Sequence, residues 1–249
     1  MPLVNNQFIQ SVSIDASGAD MGSYPFNVPA VKHCSNIVLN KKITFLIGDN
    51  GMGKSTLIES LAVYFGLNPE GGSRNIRYTT RDSHSDLKKH LHIVGFGRPT
   101  HGYFLRAESF YTLANFIDDD NERDDNWGPS IRGGWLGKSM HSRSHGESFW
   151  DIIETQFRPN GIYILDEPES ALSFTRLIAL IYTMNSLTEQ GCQFVVSTHS
   201  PILLGCPNSE IFDITSLGIH RVSFADCRLT SMYKRFLANP QKFLDDGMT

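Results

Sequence analysis

The sequence predicts an α/β protein built on a mostly parallel core sheet flanked by helices. Three observations predict it. An apolar run, Ile43 to Ile47, leads through a Gly-rich loop into a stretch from Ser55 to Phe65 whose Leu57, Ile58, Leu61, Ala62 and Phe65 recur at helical spacing. A second apolar run, Gly161 to Leu165, ends in Asp166-Glu167 and is followed by a helical pattern through Leu177, Ile178, Ile181, Met184 and Leu187. A third, Gln193 to Val196, ends in Ser197-Thr198-His199. Short apolar strands alternating with amphipathic helices are the pattern of βαβ units, whose strands run parallel.

Taken in order, Phe8 to Ile14 is strand-like, and Asp15 to Pro29 is loop, punctuated by Gly18, Gly22, Pro25 and Pro29. Tyr24 and Phe26 in that loop suit either stacking on a base or edge packing. Ile37 to Leu39 leads into the 43–47 strand. Residues 66–99 read as irregular, with a turn at Gly71-Gly72-Ser73-Arg74 and a strand at Asn75 to Thr79; Arg74 and Arg77 face either a ligand or solvent. Gly102 to Phe110 is an apolar run ending in charge. Residues 118–125 form an acidic solvated loop, and 133–137 a Gly-rich one. Ser144 and Glu147 have the spacing of a capping box, opening a helix whose apolar face is Phe149, Ile152, Ile153 and Phe157. Gly191 stops the helix that follows the second strand. Glu210 to Ile214 and Gly218 to Phe224 are two more strands, and two short helices separated near Pro240 close the chain. No break in composition divides the sequence, so 1–249 reads as one domain.

The loop after the first strand has the spacing G-x-x-x-x-G-K-[ST], from Gly48 to Gly53-Lys54-Ser55. Glycines allow a backbone to wrap an anion with successive N–H groups, and the helix that starts there adds its positive end. Asn50, Gly51, Gly53, Lys54, Ser55 and Thr56 are therefore the candidate triphosphate-binding residues, with Lys54 as the point charge on the β- and γ-phosphates and Ser55 as a ligand of Mg²⁺. Asp166 at the tip of the next strand is placed to hold the Mg²⁺ shell opposite Ser55, Glu167 to act as general base on a water, and His199 to approach the γ-phosphate. All three clusters follow strand C-termini, the edge of an open α/β sheet where ligands bind. A Ser-His-Asp hydrolase built on Ser197 or Ser200 lacks any G-x-S-x-G elbow.

Composition excludes several other classes. Hydrophobic residues at 40% and charged residues at 19% describe a globular chain with a sizeable core, and no apolar run approaches the roughly 20 residues of a membrane span. No basic or apolar leader is visible at the N-terminus, so the expectation is a cytoplasmic protein. Cys34, Cys192, Cys206 and Cys227 form no C-x-x-C pair and read as reduced thiols. His84, His90 and His92 lack the companion carboxylate or cysteine spacing of a metal site. A net charge of −4 gives no bulk signal for nucleic acid.

With these motifs assembled, the chain resembles an ABC-type ATPase head, and more closely the small bacterial ATPases called AAA family ATPases, which are allied to SMC and RecF heads. Gly48–Ser55 resembles Walker A, Ile162–Pro168 Walker B with its catalytic glutamate, Ser170-Ala171-Leu172-Ser173 the D-loop, and His199 the switch histidine. Ser144-His145-Gly146-Glu147 stands in the place of the signature, and Phe104–Ser109, Ser144–Phe149, Asp166–Ser173 and Thr198–Leu204 match recurrent segments of that family. The resemblance implies a P-loop NTPase with a smaller antiparallel N-terminal sheet and a signature subregion, about residues 85–160, inserted between the two Walker motifs. It implies Glu108 at the position usually held by glutamine, and nucleotide contacts from Ser144, Gly146 and Glu147. His145 replaces the first glycine of the usual signature. It also implies ATP and Mg²⁺ as ligands and a homodimer that sandwiches ATP and drives an effector protein or DNA, with no membrane. A slow ATP-gated sensor or scaffold is the alternative. A transporter subunit or a P-loop kinase is less consistent with the signature and with Glu167.

Overall fold

A computed structural model describes residues 7–73, 87–108 and 145–247. The first elements are strand β1 (Ser11–Ile14), a short helix α1 (Pro29–Lys32), β2 (Ile37–Val38), β3 (Ile43–Ile47) and helix α2 (Lys54–Tyr64). Next come β4 (Gly72–Ser73), the single turn α3 (Leu87–His90), β5 (Leu91–Val94) and β6 (His101–Arg106). The remainder comprises α4 (His145–Gln156), β7 (Gly161–Asp166), α5 (Phe174–Glu189), β8 (Gln193–Ser197), α6 (Pro201–Leu204), β9 (Ser209–Thr215), β10 (Gly218–Val222), α7 (Arg228–Ala238) and α8 (Pro240–Gly247).

Among the described residues the strands form two sheets. One has seven strands in the order β10-β9-β3-β8-β7-β6-β4, and the other three in the order β2-β1-β5. Strands β9, β3, β8, β7 and β6 run parallel, while β10 and β4 are antiparallel edges. The small sheet is antiparallel throughout. The parallel centre follows from composition: β3, β7 and β8 are buried at every position, as strands covered on both faces must be.

Alternation within those strands makes two cores. Ile43, Phe45, Ile47, Tyr163, Leu165, Phe194 and Val196 face one side and pack with Phe149, Ile152 and Ile153 of α4 and Leu177, Leu180 and Met184 of α5. Leu46, Ile162, Ile164 and Val195 face the other and pack with Leu57, Ile58 and Leu61 of α2, with Ile9, and with Val12, Ile37 and Leu91 of the small sheet. On the first side Phe157 stacks on Tyr163 with centroids 4.1 Å apart, and the Tyr163 hydroxyl donates to the Arg158 carbonyl at 2.7 Å.

The helix expected over 55–65 and the strands expected near 210–214 and 218–224 are present, shifted at their ends by one or two residues. Two readings are corrected. Residues 66–99 are not irregular throughout, because β5 pairs with β1 over four residues, Ser11 to Ile14 opposite Val94 to Leu91. The turn at 71–74 instead carries β4, whose Gly72 and Ser73 pair with Phe104 and Tyr103. Both strands are held by partners distant in sequence. The expected strand at 75–79, with Arg74, Arg77 and His84, lies outside the described residues, as do the acidic loop, the Gly-rich segment and Ser144.

One close approach sets the loop after β3. Gly48 has φ +147°, and a Cβ there would lie 2.3 Å from the backbone oxygen of Ile214 on β9. Only glycine accepts both conditions. Gly48→Ala is expected to lower stability by about 1–3 kcal/mol, the scale of one strained backbone position. Chemical denaturation checks this, and an unchanged midpoint would show that the loop can retreat from β9 at no cost.

Candidate functional site

The register of the parallel strands assembles the site. In the pairing, Arg106 of β6 lies opposite Asp166 of β7, Asp166 opposite Ser197 of β8, and Ser197 opposite Leu46 of β3. These residues form one transverse row at the C-terminal edge of the sheet. The backbone beyond them continues the row: Glu167 N–H donates to Ser197 O at 3.1 Å, and Thr198 N–H donates to Leu46 O at 3.1 Å.

The loop after β3 rises from this edge and returns into α2. Gly53 precedes α2 with φ +85°, and a Cβ there would come 2.6 Å from the Val28 side chain. The backbone N–H of Ala30 in α1 donates to Met52 O at 2.8 Å, so the N-terminal segment braces the loop from outside. Asn50 and Gly51 sit exposed at its crest. Lys54 is only 5% exposed, and its Nζ donates to the carbonyls of Gly48 at 2.8 Å and Asp49 at 3.2 Å. Burial lowers its pKa from the ordinary lysine value, while the charges of Glu167, Asp166, Asp49 and Glu169 push it back up. That set of carboxylates around one ammonium is the electrostatic signature of the site.

Asp166 is buried and shared. Its Oδ1 accepts from Ser55 Oγ at 3.3 Å and from the Ser197 hydroxyl, and its Oδ2 is 3.6 Å from Arg106 Nε. The Arg106 guanidinium also meets Glu59 of α2 and Glu108, each at 3.3 Å. Glu108 itself is largely exposed. Glu167 has φ +49°, a left-handed turn residue, and Pro168–Ser170 closes a single 3-10 turn after it. This reversal sets Glu167 Oε1 3.6 Å from His199 Nε2. Two residues on, Glu169 accepts the backbone N–H of His199, and burial raises the Glu169 carboxyl above its ordinary pKa despite that bond. Tyr24 is exposed, with its hydroxyl 3.4 Å from Thr56 Oγ1, whereas Phe26 is buried edge-on against His90 and is not available for stacking on a ligand.

Thus Lys54, Ser55, Asp166, Glu167 and His199, singled out separately in the sequence, meet at one edge. Glu147 lies exposed in the first turn of α4, on another element, and Gly146 belongs to the same turn. Arg106, Ser197 and Glu169 join the constellation without having been assigned a ligand or proton role from sequence. Glu169 could have been found as a third carboxylate just past Asp166-Glu167, and Arg106 as a lone charge ending a buried run. His90 Nδ1 donates to the Asp15 carbonyl at 2.7 Å and, among the described residues, no group of three His, Cys, Asp or Glu side chains forms a metal-binding cluster.

Glu169 gives a pH signature. A carboxyl whose folded pKa is raised contributes stability that is whole below 4.5, its ordinary value, and is lost as pH rises through the folded value. Glu169→Gln cannot ionise, so its Tm minus that of wild type should grow as pH rises from 4.5. A difference that stays flat over that range would contradict the raised pKa.

Comparison with known proteins agrees with this geometry. The AAA domain family model matches residues 21–156, more than half of the chain. Residues 140–205 match another AAA domain model, whose description names the AbiEii toxin and the Type IV TA system. The galactose/methyl galactoside import ATP-binding protein MglA of Salmonella typhimurium is 30% identical over 196 residues, covering 69% of this chain and 36% of that protein. The guanosine import ATP-binding protein NupO of Bacillus subtilis is 27% identical over 188 residues, covering 66% and 34%. The chain thus spans about a third of the length of these relatives. An SMC head domain from Thermotoga maritima superposes with a TM-score of 0.45 at 14% identity, over 86% of this chain and 98% of that one. No helix of the described residues is long and apolar enough to cross a membrane. With its phosphate-loop lysine, carboxylate-tipped strand and parallel sheet, and with that match over more than half its length, the chain belongs to the AAA domain family as a nucleotide-binding domain of the ABC/AAA ATPase type.

Proposed function

We propose that the chain hydrolyses ATP at this sheet edge and that two copies close on the nucleotide to drive or gate a partner. The observation that carries the reading is the transverse row, which places Asp166 against Ser55 and, one residue further, Glu167 against His199.

Ser55 and Asp166 fit a magnesium ion. A hydroxyl and a buried carboxylate are the hard oxygen donors that Mg²⁺ takes, and few protein ligands suffice because phosphates and waters complete its shell. Bound there, it would neutralise charge on the β- and γ-phosphates. The chain's own residues supply the rest. The loop N–H groups and Lys54 hold the phosphates. Glu167 takes the proton of a water as its oxygen bonds to the γ-phosphorus, and the β–γ bridging bond breaks with its electron pair going to ADP. His199 Nε2 is buried, lies 3.6 Å from Glu167 and makes no hydrogen bond among the described residues, which leaves it the group to meet a γ-phosphate oxygen once a nucleotide is seated. Glu108, held on Arg106, is the acidic residue closest in role to the usual glutamine.

The sandwich rests on Ser144-His145-Gly146-Glu147, which in the related heads completes the site of the other copy. A pair of such heads is symmetric, with two equivalent composite sites. An effector protein or DNA is the proposed object of closure, and the Type IV TA system named for the 140–205 match is consistent with an effector.

The deciding comparison is wild type against Glu167→Gln. Loss of the base should reduce turnover by about 10²-fold or more, while nucleotide binding persists. Mass measured with and without Mg-ATP should then show the variant held as a dimer by ATP. Unchanged turnover in Glu167→Gln, or a wild type that neither hydrolyses ATP nor pairs, would overturn the reading; binding without turnover in wild type would favour an ATP-gated sensor.

A further inference from the structure

Two carboxylates converge on one residue. Glu167 faces the imidazole of His199, with Oε1 3.6 Å from Nε2. Glu169 reaches the other end of the same residue, where its Oε1 accepts the His199 peptide N–H. The same turn is closed by Thr198, whose Oγ1 accepts the N–H of Ser200 at 2.9 Å. Glu169 therefore grips the turn that follows β8 at the His199 N–H, while its Oε2 is buried with no partner among the described residues.

That arrangement has a cost. A buried carboxyl with an oxygen left unsatisfied is unfavourable, and an apolar or amide side chain would fill the same space more cheaply. A surface turn of three residues does not require it. The contact it makes is directed at the backbone of the residue whose ring stands at the site. The left-handed Glu167 and the 3-10 turn at Pro168–Ser170 are what bring both glutamates to the same loop.

From this geometry we infer that Glu169 is a positioning residue: it clamps the His199 backbone so that the His199 imidazole is held beside Glu167 and toward the γ-phosphate. This rests on the hydrolytic reading of the site. Glu169 acts through His199 and takes no proton from water. The turn carrying Glu167 and the turn carrying His199 become one rigid body, and displacement of either alone is resisted.

The test pairs Glu169→Ala with Glu169→Gln. Glutamine keeps an oxygen acceptor for the His199 N–H, and alanine does not. In Glu169→Ala, kcat should fall toward about 10²-fold, the scale of an ångström of misplacement in a catalytic group, with KM for ATP and binding of a fluorescent ATP analogue preserved. Glu169→Gln should restore most of kcat. Turnover in Glu169→Ala equal to wild type overturns the inference, and so does an equal loss in both variants, since the charge and not the acceptor would then matter. Loss of nucleotide binding or of the folded state in Glu169→Ala, with Glu169→Gln no better, also overturns it in favour of a purely structural brace. A second readout needs no turnover. The His199 amide proton, followed by NMR, should move upfield in Glu169→Ala and stay near the wild-type position in Glu169→Gln. If wild type proves inactive, the hydrolytic reading fails, and that amide shift still decides whether the clamp exists.

Discussion

The site depends on strand register. Because β6, β7, β8 and β3 are parallel and paired as they are, Arg106, Asp166, Ser197 and Leu46 fall on one line across the sheet. A slip of one residue in β7 would turn Asp166 to the opposite face and exchange the two apolar sets of that strand. The register is fixed by burial on both faces. Tyr163 and Leu165 belong to one core and Ile162 and Ile164 to the other, and neither set fits in place of the other. Hydrophobic packing far from the edge therefore determines where the carboxylates stand.

The polar edge follows from that framework. Asp166 is deeply buried for a carboxylate, and its stability there comes from shared donors: two hydroxyls on Oδ1 and a guanidinium beside Oδ2. Arg106 ties this strand tip to Glu59 on α2, so the helix that begins at the phosphate loop is connected to the strand that carries the carboxylates by charge as well as by packing. At the far side of the loop, Arg228 of α7 meets Asp49 at 2.6 Å, although both groups are exposed and such a pair adds little stability.

Much of this was legible in the sequence because it is local. The spacing of Gly48, Gly53, Lys54 and Ser55, the run ending at Asp166-Glu167 and the run ending at His199 each declare a strand tip without help from elsewhere. The convergence of those tips followed from the parallel order. Strands β4 and β5 were not legible, since two and four residues are too few for a pattern to declare a strand, and they are ordered by partners, Phe104 and Tyr103 for β4 and Ser11 to Ile14 for β5. Arg106 and Glu169 were missed for a similar reason. A charge at a strand end and an acid after a proline have many fates in a sequence, and only the fold selects the neighbours that give them one.

The grip of the loop on its own lysine has a consequence for how a polyphosphate is received. Lys54 ordinarily carries a long flexible stem, and fixing it on arrival of a ligand would cost rotamer entropy. Here two carbonyls of the loop have already spent that freedom, leaving the third ammonium donor unclaimed by them. The incoming anion thus meets a charge set in advance, and recognition at this position is an exchange of acceptors around a stationary cation rather than the capture of a moving one.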